Sequence, residues 1–215
     1  MMWMRMPGQT WAGAEAAFVG MWIAMMAAMM LPSLVPALWR YRRAIGEASG
    51  ARTASLIATV GVGYLFLWTL LGTIVFPLGV ALAELRMRLP AFARLTPMAI
   101  GAAVLLAGVV QLSAWKARHL ALCRDVPVIG RARPAGARDA WRHGLQLGVY
   151  CCRSCAGYTA VLLMLGMMDV RVMAAVTAAI TAERLAPGGA HIARTAGVIV
   201  VATGLFQIAR AAGFG

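Results

Sequence analysis

Long apolar runs broken by short, arginine-bearing connections make up most of the chain. Crossing the hydrocarbon of a bilayer takes about 20 apolar residues of helix, and several runs reach that length. The pattern predicts an all-α, polytopic transmembrane helix bundle of about six spans. They are placed at about Ala16–Trp39, Ser55–Leu82, Pro97–Cys123, a fourth opening within "RDAWRHGLQLGVY" and reaching about Met168, Val170–Leu185, and roughly His191–Arg210. The fifth is short; were it re-entrant, the count would fall to five and the C-terminus would change sides.

Local signals place the boundaries. Pro97 is expected to open the third helix, because the N–H it lacks would be unpaired at that position anyway. Pro77 and Gly79 are expected to distort or end the second helix, and Pro32 and Pro36 to kink the first by removing backbone hydrogen bonds. Asp169, between spans four and five, reads as an N-cap. "APGGAH" at 186–191 reads as a turn. The N-terminal "MMWMRMPGQTWAG" does not read as a cleaved leader before a soluble domain, because no small-residue cleavage site follows the first span. With no repeat of quality, residues 1–215 read as one integral membrane domain.

Composition sharpens the class. Hydrophobic residues are 62% and charged residues 13% of the chain, against roughly a half and a quarter in soluble domains. The 20 basic residues outweigh the 7 acidic ones. Nucleic-acid binders usually carry such an excess as a patch on a polar domain; here it lies between apolar runs, which excludes nucleic acid as the natural partner and leaves the lipid bilayer. Loop one holds Arg40, Arg42, Arg43 and Arg52. Loop three with its flanks holds Lys116, Arg118, Arg124, Arg131, Arg133, Arg138 and Arg142, and loop five Arg184 and Arg194. The other side has only Arg5, Arg86, Arg88, Arg94, Arg171 and Arg210. The positive-inside rule then puts the odd loops in the cytoplasm and both termini outside, in a bacterial inner membrane.

All four cysteines fall in two short stretches, "HLALC" at 119–123 and "YCCRSC" at 150–155. His119 and Cys123 are four residues apart, as are Cys151 and Cys155, so each pair occupies one helix face. Spans three and four are joined by a short loop and are expected to be antiparallel neighbours, which would bring one imidazole and three thiols together. That is a normal donor set for a tetrahedral soft or borderline metal. A single cysteine in such a helix is more often a small packing residue; it is the matched spacing on adjacent spans that points to a site. Cys152 projects about 100° from Cys151 and is expected to lie apart.

Arg153 is a charge within a span, either offsetting an anionic metal–thiolate group or extending its guanidinium to the headgroups. In the first span, Met21, Met25 and Met29 share one face, and Met26 and Met30 another beside Trp22. Thioethers suit Cu⁺, although methionine stripes also serve as adaptable packing. Met25, Met29 and Met30 are therefore secondary ligand candidates. The sequence presents no phosphate-cradling glycine pattern, no Ser–His–Asp set and no paired carboxylates, so an enzyme is not indicated. Glu183–Arg184 reads as an interface marker, and neither His143 nor His191 reads as a ligand.

On these residues the chain resembles a bacterial family of unknown function, that of predicted metal-binding integral membrane proteins. "MWIAMMAAMMLP" is similar to the family's W-x-x-M-x-x-A-M-M-x-P, matching at Trp22, Met25, Ala28, Met29, Met30 and Pro32. "KARHLALCRDVP" is similar to K-x-x-C-L-x-x-C-R-x-P at Lys116, Leu120, Cys123 and Arg124, with His119 in place of the first cysteine and Pro127 one residue late. "GVYCCRSCA" is similar to G-L-Y-C-L-G-C-C-W at Gly148, Tyr150, Cys151 and Cys155; Ser154 replaces a cysteine and Ala156 a tryptophan. "GMMD", Met173 and "ER" at 183–184 are similar to the family's G-V-M-N, later Met and E-K. The resemblance implies metal binding and supplies no reaction.

Together these readings predict a protein that handles a soft metal, Cu⁺ first and zinc second, for delivery, transport or sequestration, with a metal-receiving protein or membrane complex as partner. Two rivals stand beside this: an accessory subunit or assembly factor of a larger, respiratory-type membrane complex, and a membrane thiol–disulfide protein.

Overall fold

The computed structural model describes residues 8–45, 50–124, 136–167 and 169–213. Arg5, Pro127, Arg131, Arg133 and Met168, which figure in the sequence reading, lie outside the described residues. Among the described residues the chain is all-α, with seven helices and no strand.

Helix α1, Trp11–Ala44, is opened by Thr10, whose hydroxyl accepts the Gly13 N–H at 3.1 Å. Arg42 and Arg43 lie in its last turn, where the exposed carbonyls favour positive charge. The helix runs on through Pro32 and Pro36. Helix α2, Gly50–Arg88, likewise runs through Pro77 and Gly79, which neither end nor interrupt it. Proline is tolerated in spanning helices because surrounding helices and side chains can satisfy the carbonyls it frees.

Helix α3, Pro90–Leu112, starts seven residues before the expected Pro97. Leu89 is its extended N-cap and Pro90 takes the first helical position, leaving Pro97 inside the helix. The third run is not one rod to Cys123. Ser113 takes an extended conformation (φ −74°, ψ 153°); its hydroxyl donates to Val110 O at 2.6 Å and accepts from Lys116 N–H at 3.3 Å. A serine satisfying backbone groups on both sides competes with helix continuation and caps the next segment. Helix α4, Ala114–Arg124, follows as a separate element.

Helix α5 is Ala137–Leu165, α6 is Val170–Leu185 and α7 is Gly189–Ala211. Asp169 caps α6 as expected, its carboxylate accepting the N–H groups of Arg171 at 2.8 Å and Val172 at 3.3 Å. Among the described residues five helices are long and apolar enough to cross a membrane: α1, α2, α3, α5 and α7. The short fifth run is a complete helix, but its 16 residues reach only about 24 Å at 1.5 Å per residue, less than the roughly 30 Å of a hydrocarbon core. On these helices large apolar side chains such as Ile74, Leu106 and Phe206 remain exposed, a surface suited to lipid.

The chain divides into two compact units, Met1–Glu84 with Asp125–Tyr150, and Leu85–Arg124 with Cys151–Gly215. In the first, α1, α2 and the N-terminal part of α5 pack by tryptophan-on-glycine and glycine-on-backbone contacts. Trp22 donates its indole N–H to Trp68 O at 2.8 Å and lies so close to Gly72 that a Cβ there would sit 2.7 Å from its ring. Gly63 and Gly144 let α2 and α5 meet backbone to backbone: a Cβ on Gly63 would lie 2.9 Å from Trp141 O, and one on Gly144 would collide with Val60 O. Small residues at such crossings are how apolar helices approach closely when lipid offers no hydrophobic drive.

In the second unit α3 packs on α7, and α6 packs on α7 as well. Gly101 faces Ile208, Gly108 faces Val201, Leu105 faces Gly204 and Leu112 faces Gly197. Numbers rise on one helix as they fall on the other, so the two are antiparallel and interdigitate glycine against branched side chain. Val104, Ala107 and Val161 form the core where α3 meets the C-terminal part of α5.

Candidate metal centre

Four elements of the second unit build the site: the end of α3, α4, the second half of α5 and the end of α6. Cys151, Ser154 and Cys155 fall on one face of α5, and all are buried, at 1%, 1% and 2% exposure. The end of α6 supplies Arg184 to that face. Its Nη2 donates to Cys151 Sγ at 3.0 Å, to Cys155 Sγ at 3.2 Å and to Ser154 Oγ at 3.2 Å. Ser154 donates its own hydroxyl back to Cys151 O at 3.0 Å. The two thiols one helical turn apart thus meet at a single guanidinium nitrogen.

Helix α4 is fastened over this face by two cations. Lys116, almost wholly buried, donates to Ser154 O at 2.5 Å and pairs with Glu183 Oε2 at 2.9 Å. The other carboxylate oxygen of Glu183 accepts from Gln111 Nε2 at 2.9 Å and from the Tyr158 hydroxyl. Arg124, at the other end of α4, donates to Ala186 O at 2.9 Å. Gly189 makes room there, since a Cβ would meet both Glu183 O and the Arg124 guanidinium. A buried charge persists only when paired and hydrogen-bonded, and Glu183 has both of its oxygens engaged.

Fastened in this way, α4 presents Cys123, 8% exposed, as the third thiol. It interacts with the Ser154 side chain, Cys155 and Arg184. Burial pushes the Cys123 thiol up from its ordinary range, Arg184 opposes that rise, and Cys155 adds to it. All four cysteines are free thiols.

The other expected members lie elsewhere. His119 is half-buried on α4: its ring packs on Trp115 at 4.2 Å and its Nδ1 lies 2.8 Å from Trp115 O. The structure therefore does not set it among the thiols. Arg153 is exposed; the guanidinium against the sulfurs is that of Arg184, which the sequence had suggested as an interface marker within a family motif. Cys152 is half-buried. Met25, Met29 and Met30 are buried in the first unit. With Trp22, Met26 and Ser33 they form one wide buried stripe of α1, so the two methionine rows read from the sequence belong to the same face. Among the described residues no group of three or more His, Cys, Asp or Glu side chains is gathered as a metal-ligand set.

Sequence reasoning matched Lys116 and Glu183–Arg184 to the family's motifs but gave none of the three a part in the site. One signal was available: a lysine and a glutamate within apolar surroundings are costly unless they find each other. Here 67 residues separate the pair.

Among the described residues, an all-helical fold with five helices of spanning length, and a buried thiol cluster held against a guanidinium, is the class of protein that fold and site define. The chain belongs to the PpoB2 family, described as copper chaperone, whose sequence pattern matches residues 19–207. No curated protein and no solved structure matches the chain.

Proposed function

We propose that this protein is a membrane-embedded handler of copper, carrying it as Cu⁺ on the thiolates of Cys151 and Cys155 with Cys123 as third donor, for delivery, transport or sequestration. One observation carries the reading: two buried thiols, one helical turn apart, share a single arginine nitrogen at 3.0 and 3.2 Å. Thiolates are soft donors that select Cu⁺, and a thiol must lose its proton to become one. A cation beside the sulfur favours the thiolate. The copper-chaperone description of the family supports the choice of metal; zinc comes second.

Cargo binding on this reading draws Cys123 toward the pair. His119 joins only if its ring leaves the Trp115 carbonyl, and the thioethers of Met25, Met29 and Met30, within the first unit, are secondary soft donors. The setting is the bacterial inner membrane with the odd loops in the cytoplasm, and the recipient is a copper-requiring protein or membrane complex.

The test is elemental analysis of detergent-purified protein expressed with copper and zinc, wild type beside Cys151→Ser/Cys155→Ser. The expected result is about one copper per chain, lost in the double variant. A folded wild type with no metal sinks the reading and favours an accessory or assembly subunit. Reversible cross-linking between Cys123 and Cys151 or Cys155, with no metal, favours a thiol–disulfide protein instead.

A further inference from the structure

The geometry points to Arg184 as the residue that sets the charge of the ion this site accepts: we infer that it favours a monovalent soft ion over a divalent one. The inference rests on the metal-handling reading above and goes further, from which atoms bind to which ions are refused.

Arg184 Nη2 is within 3.2 Å of both Cys151 Sγ and Cys155 Sγ. Any ion shared by those two sulfurs therefore lies within a few ångströms of a delocalised positive charge. An arginine keeps its charge at every relevant pH. Coulomb repulsion scales with the charge of the ion, so a divalent ion meets twice the opposition of a monovalent one at the same place.

The sulfurs add a second effect in the same direction. Binding replaces two S–H bonds by two S–metal bonds and releases two protons. A monovalent ion on two thiolates leaves a net charge of −1 on the group. Guanidinium N–H donors hydrogen-bond strongly to such an anionic acceptor. A divalent ion leaves that pair neutral, and the same donors gain less from it.

Lys116 does not duplicate the role. Its ammonium is matched at 2.9 Å by Glu183 and further bound to Ser154 O, and its hydrogen bonds go to oxygens. Ser154 Oγ, the third acceptor of Arg184 Nη2 at 3.2 Å, keeps the guanidinium in register with both sulfurs.

Ag⁺ and Cd²⁺ are the suitable probes, since they have the same number of electrons, both favour thiolates, and they differ in charge. Their affinities are measured by competition on the full-length protein in detergent, for wild type, Arg184→Gln and Arg184→Lys. In Arg184→Gln the preference for Ag⁺ over Cd²⁺ should fall at least tenfold, chiefly because Cd²⁺ binds more tightly; Arg184→Lys should keep it within about threefold. An unchanged preference in Arg184→Gln overturns the inference. If the glutamine variant does not fold, Arg184→Lys decides: a tenfold loss with the charge retained overturns it, and a retained preference supports it. A folded wild type that binds neither ion fails the metal-handling reading itself, and the inference with it.

Discussion

Lys116 and Glu183 are the two charges for which the second unit makes the greatest provision, each held below 4% exposure at a separation of 2.9 Å. Removing one partner leaves the other charge buried without its counter-ion, which typically costs about 3–5 kcal/mol. Lys116→Met and Glu183→Gln should each lower the unfolding midpoint strongly. The combined Lys116→Met/Glu183→Gln chain, which keeps an acceptor for Gln111 and Tyr158, should recover at least half of the Lys116→Met loss. Thermal unfolding of the purified variants in one detergent checks this; additive losses in the double variant would mean the two side chains are not coupled. At this scale the sequence told half the story. The i, i+4 spacing of Cys151 and Cys155 and the capping role of Asp169 are local facts of helix geometry, and both could be read directly. Arg184 and Lys116 could not, because what makes each functional is a partner many residues away.

Helices were legible as apolar runs, while their ends depended on finer chemistry. Pro77 and Gly79 were expected to distort or end α2, and it does not end there but continues past both; a proline's effect depends on whether neighbours satisfy the freed carbonyl. Ser113 was unremarked, yet its hydroxyl splits the third run and makes the segment bearing Cys123 an element of its own. Helix crossings give a sharp prediction here. Gly144→Ala drives a methyl group into Val60 O, whereas Gly20→Ala meets nothing within 4 Å. The first should destabilise by about 1–3 kcal/mol, as overpacking does. The second should be neutral or stabilise by up to about 1 kcal/mol, the helix-propensity gain of alanine over glycine. Unfolding midpoints of the two variants, measured side by side, separate a required glycine from an incidental one.

For the whole molecule, the all-helical class followed from composition and run length, whereas α1, with 34 residues, and α2, with 39, outrun the spans expected of them. About six spans were expected, or five given the shortness of the fifth run; among the described residues five helices are of spanning length, and the 16 residues of α6 fall short of the width of a membrane. The orientation predicted from arginine placement has a direct test. Single cysteines at Arg52 and Arg88, both exposed positions, are introduced into a chain whose four native cysteines are serine. An impermeant maleimide should label Arg88→Cys in intact cells and reach Arg52→Cys only after the membrane is opened; the reverse pattern would invert the assignment.

The Lys116–Glu183 pair also bears on how the chain is made. Each charge is tolerable in apolar surroundings only beside the other, and α4 is synthesised about sixty residues before the end of α6. Until α6 emerges, Lys116 must wait in water or among headgroups, and α6 with its Glu183–Arg184 end finds its lodging only once α4 is there to receive it. Insertion of this protein thus has a late step, in which the buried thiol cluster closes as α6 arrives.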